Sequence, residues 1–201
     1  MLLEQARKRI QNYRPRPLPA NRSYPEAAVL VPLTRSATPE LLLTLKAQGL
    51  STHSGEVAFP GGMRDPEDPD LAFTALRESQ EEVGLNPAVV EIAGPLSPLL
   101  SRHGLKVTPY VGMIPDQLGY HANEAEIDSI FSVPLEFFVT DPRQTTHRLD
   151  YLGQSWYVPS YTYADYKIWG LTAVMVVELM NVIFGRQLDL RQPPQLSTKE
   201  L

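Results

Sequence analysis

From Gly61 to Gly84 the chain runs through a two-glycine turn, a loop dense in Asp and Pro, and a one-sided helix. Few folds accept that succession. A short strand expected at Glu56–Phe59 ends at Pro60-Gly61-Gly62, and Arg64-Asp65-Pro66-Glu67-Asp68-Pro69 follows as a loop. From Asp70 to Val83 the pattern turns helical, with Ala72, Ala75, Leu76, Ser79 and Val83 sharing one face at spacings of three and four. Asp70 stands where an N-cap belongs and Gly84 where a helix stops. In Arg77-Glu78-Ser79-Gln80-Glu81-Glu82 the carboxylates fall at i, i+3 and i+4, which puts Glu78, Glu81 and Glu82 on one polar face. Clustered carboxylates repel one another unless something positive sits among them, and hard divalent cations prefer such oxygen donors. Arg77, four residues before Glu81, can hold part of the cluster by charge-assisted hydrogen bonds. Alone, this helix reads as a solvated acidic face. The preceding glycines, which let backbone approach a ligand or lend a carbonyl to a metal, favour a metal site.

The remaining pattern alternates strands and helices without a regular βαβ rhythm. Strands are expected at Ala27–Leu33, Glu40–Lys46, Val89–Ile92, Val107–Ile114 and Ile127–Val133, with a hairpin of 148–152 and 155–163 turning at Gly153-Gln154. Helices are expected at 2–12, for one turn at 135–139, and at 171–184. This is an α/β chain whose mixed sheet is covered by helices on both faces. Its 201 residues suit one domain, set out as an N-terminal helix and Pro-rich linker over 1–26, a folded domain over 27–190 and a frayed tail over 191–201. The absence of cysteine excludes disulfides, thiolate nucleophiles and Cys-based zinc sites, and fits a reducing compartment. A net charge of −5 argues against a nucleic-acid partner. No segment reads as a membrane span or signal peptide, so a cytoplasmic location without membrane partners is expected.

The stretch Gly61-Gly62 … Arg77-Glu78-Ser79-Gln80-Glu81-Glu82-Val83-Gly84-Leu85 resembles the signature of the Nudix hydrolases, G-x5-E-x7-R-E-U-x-E-E-x-G-U with U aliphatic. It departs in two places. Gly62 and Arg77 are fifteen residues apart, one more than the signature allows, so the expected acid falls at Pro69, with Asp68 and Asp70 beside it. Ser79 stands where the signature has an aliphatic residue. Both departures, with Gly55-Glu56-Val57-Ala58-Phe59-Pro60-Gly61-Gly62-Met63-Arg64-Asp65, resemble the coenzyme A diphosphatase subgroup. Leu42-Leu43-Thr44, Val107-Thr108-Pro109, Glu126 with Val133-Pro134-Leu135, and Ile168-Trp169-Gly170-Leu171-Thr172-Ala173 extend the resemblance over roughly residues 27 to 184.

The resemblance implies a Nudix fold, a mixed sheet sandwiched between helices, and hydrolysis of a nucleoside diphosphate linked to another moiety. It implies Mg²⁺ or Mn²⁺ held by Glu78, Glu81, Glu82 and the carbonyl of Gly62, neutralising diphosphate oxygens and activating water. Glu126 aligns with a further acidic ligand or general base of the family; Glu124, Glu78 and Glu82 are alternatives, and Arg77 orients the carboxylates. The subgroup implies coenzyme A or acyl-CoA as substrate, with 4′-phosphopantetheine (or its acyl form) and adenosine 3′,5′-bisphosphate as products. Lys46 and Ser51 replace two arginines of the subgroup's upstream motif. Lys46 keeps the charge without the bidentate fork, and Ser51 keeps neither. His53 is retained, and Lys46, His53 and Arg64 are the expected substrate contacts. The weakened motif keeps ADP-ribose or a dinucleoside polyphosphate open as substrate, and beyond those a nucleotide-binding domain without turnover. Tyr157, Tyr161, Tyr163, Tyr166 and Trp169 suit a core or a homodimer interface better than a base platform.

Overall fold

The computed structural model describes residues 2–19, 23–49, 54–116, 119–151 and 153–194. Helix α1 (Leu2–Asn12) precedes strands β1 (Glu26–Thr34), β2 (Glu40–Lys46), β3 (Val57–Ala58) and β4 (Gly61–Met63), then helix α2 (Leu71–Val83). Next come β5 (Glu91–Pro95), β6 (Leu99–Leu100), β7 (Lys106–Ile114), β8 (Ile127–Pro134) and the short helix α3 (Leu135–Val139). Strands β9 (Gln144–Tyr151), β10 (Gln154–Tyr163) and β11 (Tyr166–Trp169) lead into α4 (Gly170–Phe184).

The main sheet is ordered β3-β2-β1-β7-β5, with β8 on β2, β4 on β1 and β6 on β7. It is mixed: β1 and β7 run parallel from Glu26 opposite Lys106 to Thr34 opposite Ile114, and the other pairs are antiparallel. Alternation along β1 divides the core, as the period of two requires. Ala28 and Leu30 face α2, where Ala75, Val83, Leu85 and Ile114 join them. Ala27, Val31 and Leu33 face the other way, into a cluster with Ala6 and Ile10 of α1 and Val176, Leu179 and Met180 of α4. The sandwich of helices about a mixed sheet is as expected. The N-terminal helix belongs to it: Ala6 and Ile10, one turn apart, are buried.

Four features differ from the sequence reading. Gly61-Gly62 is not a turn opening into a loop; with Met63 it forms β4, antiparallel to β1 with Gly62 opposite Ala28 and Gly61 opposite Val29. Any Cβ on Gly61 would run into the Ala28 carbonyl and the Val29 backbone, so only glycine permits this pairing. The strand expected from Val89 starts at Glu91, because Asn86 caps Ala88 N at 2.9 Å and Pro87 opens a 3-10 turn over Pro87–Val89. The hairpin of β9 and β10 gains β11, making a separate three-stranded sheet that α4 packs against. Leu99–Leu100 adds a short strand at one edge. Among the described residues, no helix is long and apolar enough to cross a membrane.

Candidate active site

Helix α2 is fixed at both ends by the residues its sequence offered. Asp70 accepts a hydrogen bond from Phe73 N at 2.8 Å, and Gly84 closes the helix in the left-handed region at φ 70°. Between the caps, Ala75, Ser79, Glu82 and Val83 face the sheet. Ser79 is fully buried on the face of the helix that packs toward the sheet and donates to the Ala75 carbonyl at 2.6 Å.

The three carboxylates of α2 do not share one environment. Glu82, three residues from Ser79, is drawn under the helix and is 2% exposed. Its carboxylate meets Lys46 Nζ at 2.5 Å and accepts from Gly61 N at 3.4 Å. Glu78 lies against β4: a Cβ on Gly62 would fall 2.5 Å from both of its carboxylate oxygens. The bare glycine is therefore the cradle of that carboxylate. Glu81 points outward, its side chain 56% exposed, and bonds Arg77 at 3.2 Å. Burial raises the pKa of Glu78, partly offset by Arg77, with Glu81 and Glu126 adding repulsion. Burial also raises that of Glu82, against the pull of Lys46.

Arg77 organises the acidic side of the loop. Its Nε and Nη2 each reach a different oxygen of Asp68 at 3.1 Å, Nη2 also donates to the Met63 carbonyl at 3.0 Å, and Nη1 meets Glu78 at 3.0 Å. This fork, with burial opposing it, holds the Asp68 carboxyl down at about 2, helped by Asp65 N and the Thr74 hydroxyl. Asp68 is thus the acid that the lengthened loop brings to Arg77. Sequence reasoning placed it only beside the gap at Pro69. The signal was a carboxylate one residue before the expected place, in a loop one residue too long.

The structure brings together Gly62, Arg77, Glu78, Glu82 and Lys46, with Glu81 on the rim. Glu126 is an exposed residue just before β8; its carbonyl accepts from Ala47 N at 2.8 Å, and its charge is felt by Glu78. Arg64 is turned elsewhere, toward Glu26 at 3.3 Å and the carbonyls of Asp68 and Pro69. His53 and Ser51 lie outside the described residues.

The donor set suits a hard divalent cation. Arg77 is shared among Asp68, Glu78 and Glu81, and Lys46 serves Glu82, so carboxylates outnumber cations around the glycine cradle. Among the described residues no three acidic or histidine side chains converge as a preformed cage. The surplus negative charge, crowded and partly desolvated, is what a Mg²⁺ or Mn²⁺ ion would relieve.

Residues 24–145 match the NUDIX domain family. The chain is similar to the uncharacterized Nudix hydrolase NudL of Citrobacter koseri, 46% identical over 156 residues that span 77% of this chain and 80% of that protein. It is also similar to the mitochondrial Nudix hydrolase 15 of Arabidopsis thaliana, 36% identical over 80% of this chain and 59% of that one. In fold it resembles the crystal structure of a MutT/nudix family protein from Enterococcus faecalis. The TM-score is 0.53, with 14% identity over 84% of this chain and 65% of that chain.

Proposed function

The chain belongs to the Nudix hydrolases, which act on phosphorus-containing anhydrides, and from that premise we propose that it hydrolyses the diphosphate of coenzyme A or acyl-CoA. The products are then 4′-phosphopantetheine, or its acyl form, and adenosine 3′,5′-bisphosphate. The observation that carries the hydrolase chemistry is the Glu78 carboxylate seated on Gly62 beside the buried Glu82. Two local features support the subgroup: the small residue Ser79, buried with its hydroxyl on the Ala75 carbonyl, and Asp68 taking up the extra loop residue by its fork with Arg77.

In this reading Glu78, Glu81, Glu82 and the Gly62 carbonyl would hold Mg²⁺ or Mn²⁺, which would supply charge neutralisation for the diphosphate oxygens and a more acidic water. The protein's own residues do the positioning. Arg77 keeps Glu78 and Glu81 oriented through its anchor on Asp68. Gly62 leaves the space in which Glu78 lies. Glu126, exposed at the rim, accepts the proton of the attacking water, with Glu78 and Glu82 as alternatives. Lys46 contributes positive charge beside Glu82, and a cytoplasmic location goes with the substrate.

One observation favours a second substrate. Lys46 stands where the subgroup has an arginine for its substrate, yet here it is committed to Glu82. That leaves fewer charges for coenzyme A and would suit ADP-ribose or a dinucleoside polyphosphate.

The test is a substrate panel with excess Mg²⁺ or Mn²⁺ and products identified by mass. It includes coenzyme A, acetyl-CoA, ADP-ribose, diadenosine polyphosphates and nucleoside triphosphates. Release of 4′-phosphopantetheine is expected. Turnover of ADP-ribose alone would replace the substrate and keep the chemistry. Wild-type rates in both Glu81→Gln and Glu82→Gln would overturn the assignment of the metal ligands.

A further inference from the structure

Residues 7–16, Arg7-Lys8-Arg9-Ile10-Gln11-Asn12-Tyr13-Arg14-Pro15-Arg16, carry five of the 18 lysines and arginines and no acid, in a chain of net charge −5. The hydrolase reading makes no use of them. They border a groove of about 650 Å³ between α1 and α4, which presents Lys8, Arg9, Arg14 and Arg16 over a floor of Tyr13, Glu178 and Asn181. The groove lies across the sheet from α2, since α1 and α4 pack on the face opposite Ala75 and Leu30.

The floor is braced. Tyr13 Oη donates to Glu178 at 2.6 Å and lies 2.9 Å from the Ser97 hydroxyl, and Ser97 N donates to the other Glu178 oxygen at 3.2 Å. Asn181 bonds both the carbonyl and the amide of Leu188. Arg9 caps the end of α4 through the Ile183 carbonyl at 2.7 Å. Arg16, between two prolines that fix the backbone, is anchored by its amide to the Ser97 hydroxyl at 2.9 Å. Among the described residues no carboxylate pairs with Lys8, Arg9, Arg14 or Arg16. The single acid of the groove, Glu178, has both oxygens occupied. Four unpaired cations around a braced concavity keep a strong positive potential, because low-dielectric walls focus the field.

We propose that this groove binds a multiply phosphorylated small molecule at a site separate from the hydrolytic one. The guanidinium fork matches phosphate oxygens, and a cavity of this size falls within the roughly 300–1,000 Å³ of small-molecule sites. Its concavity between two helices favours a compact ligand over a membrane surface, which asks for a flat or protruding basic face.

The test is calorimetric titration of the full chain with inorganic tripolyphosphate in EDTA, so that no metal recruits the anion to α2. Saturable binding near one per chain is expected, at least tenfold weaker in Arg14→Gln/Arg16→Gln. The control Arg102→Gln/Arg148→Gln removes equal charge from exposed positions elsewhere and is expected to stay within twofold of wild type. Equal loss in both variants would mean diffuse attraction and overturn the proposal, as would no saturable binding. Sedimentation with phosphatidylglycerol vesicles but no tripolyphosphate binding would overturn it in favour of a membrane. None of these outcomes bears on the hydrolase reading, which the substrate panel tests by itself.

Discussion

Gly62 and Lys46 each set the state of one carboxylate. Gly62→Ala would place a methyl group where the Glu78 carboxylate now lies, and the displaced side chain would lose its seat on β4. Turnover of the best substrate is expected to fall about a hundredfold, since misplacement by about 1 Å can cost that much. The melting temperature should stay within a few degrees, because the clash is with the end of a side chain; undiminished turnover would show that Glu78 does not work from this position. Lys46 acts oppositely, supplying the charge that Glu82 would otherwise take from an ion. In Lys46→Gln, Mn²⁺ binding measured by calorimetry should tighten several-fold. Weaker or unchanged binding would mean that lysine and metal do not compete. At this scale the sequence disclosed Glu78 and Glu82 through helical spacing. It could not disclose that Glu82 is buried on a lysine 36 residues away, because periodicity along one helix carries no information about what another strand presents.

The segment from β4 to α2 shows what a motif can and cannot say about an element. The helix ends were legible from Asp70 and Gly84, whose backbone roles follow from their own chemistry. The strand character of Gly61–Met63 was not, since glycines lack the side-chain alternation by which strands are read, and the pairing comes from β1. In the loop between, the Asp68–Arg77 pair should govern acid sensitivity. The Asp68 carboxyl is held at about 2 against an ordinary 3.8, so the folded form keeps it ionised where the unfolded chain protonates it. Its stabilisation is therefore complete above about pH 4 and lost as pH falls toward 2. Urea denaturation at pH 7, 4, 3 and 2 should show a steeper loss for wild type than for Asp68→Asn over that interval. Parallel losses would remove Asp68 from the explanation. At neutral pH, Asp68→Ala should cost about 3 kcal/mol, because Arg77 is left partly buried without its main partner.

Across the whole molecule, the division of apolar residues along β1 builds two cores, and it bears out the mixed sheet covered on both faces that the irregular succession of strands and helices led one to expect. What the sequence reading set apart was the N-terminal helix, since eleven amphipathic residues before a proline-rich stretch do not reveal whether they dock. They do: Ile10 is 1% exposed among the residues of α4 and β5. Ile10→Ala is expected to destabilise the fold by about 2–4 kcal/mol, read from chemical denaturation. A change under about 0.5 kcal/mol would mean that the helix is dispensable. The packing of α1 on α4 also reaches across the order of synthesis. Glu178 is made 165 residues after Tyr13, and the apolar side of α4 follows Ile10 at a similar distance. At translation speeds of roughly 5–20 residues per second, α1 waits on the order of ten seconds for the surface that will cover it. Throughout that interval Leu3, Ala6 and Ile10 form an uncovered apolar stripe on a nascent chain, a segment for which a chaperone and the unfinished protein would compete.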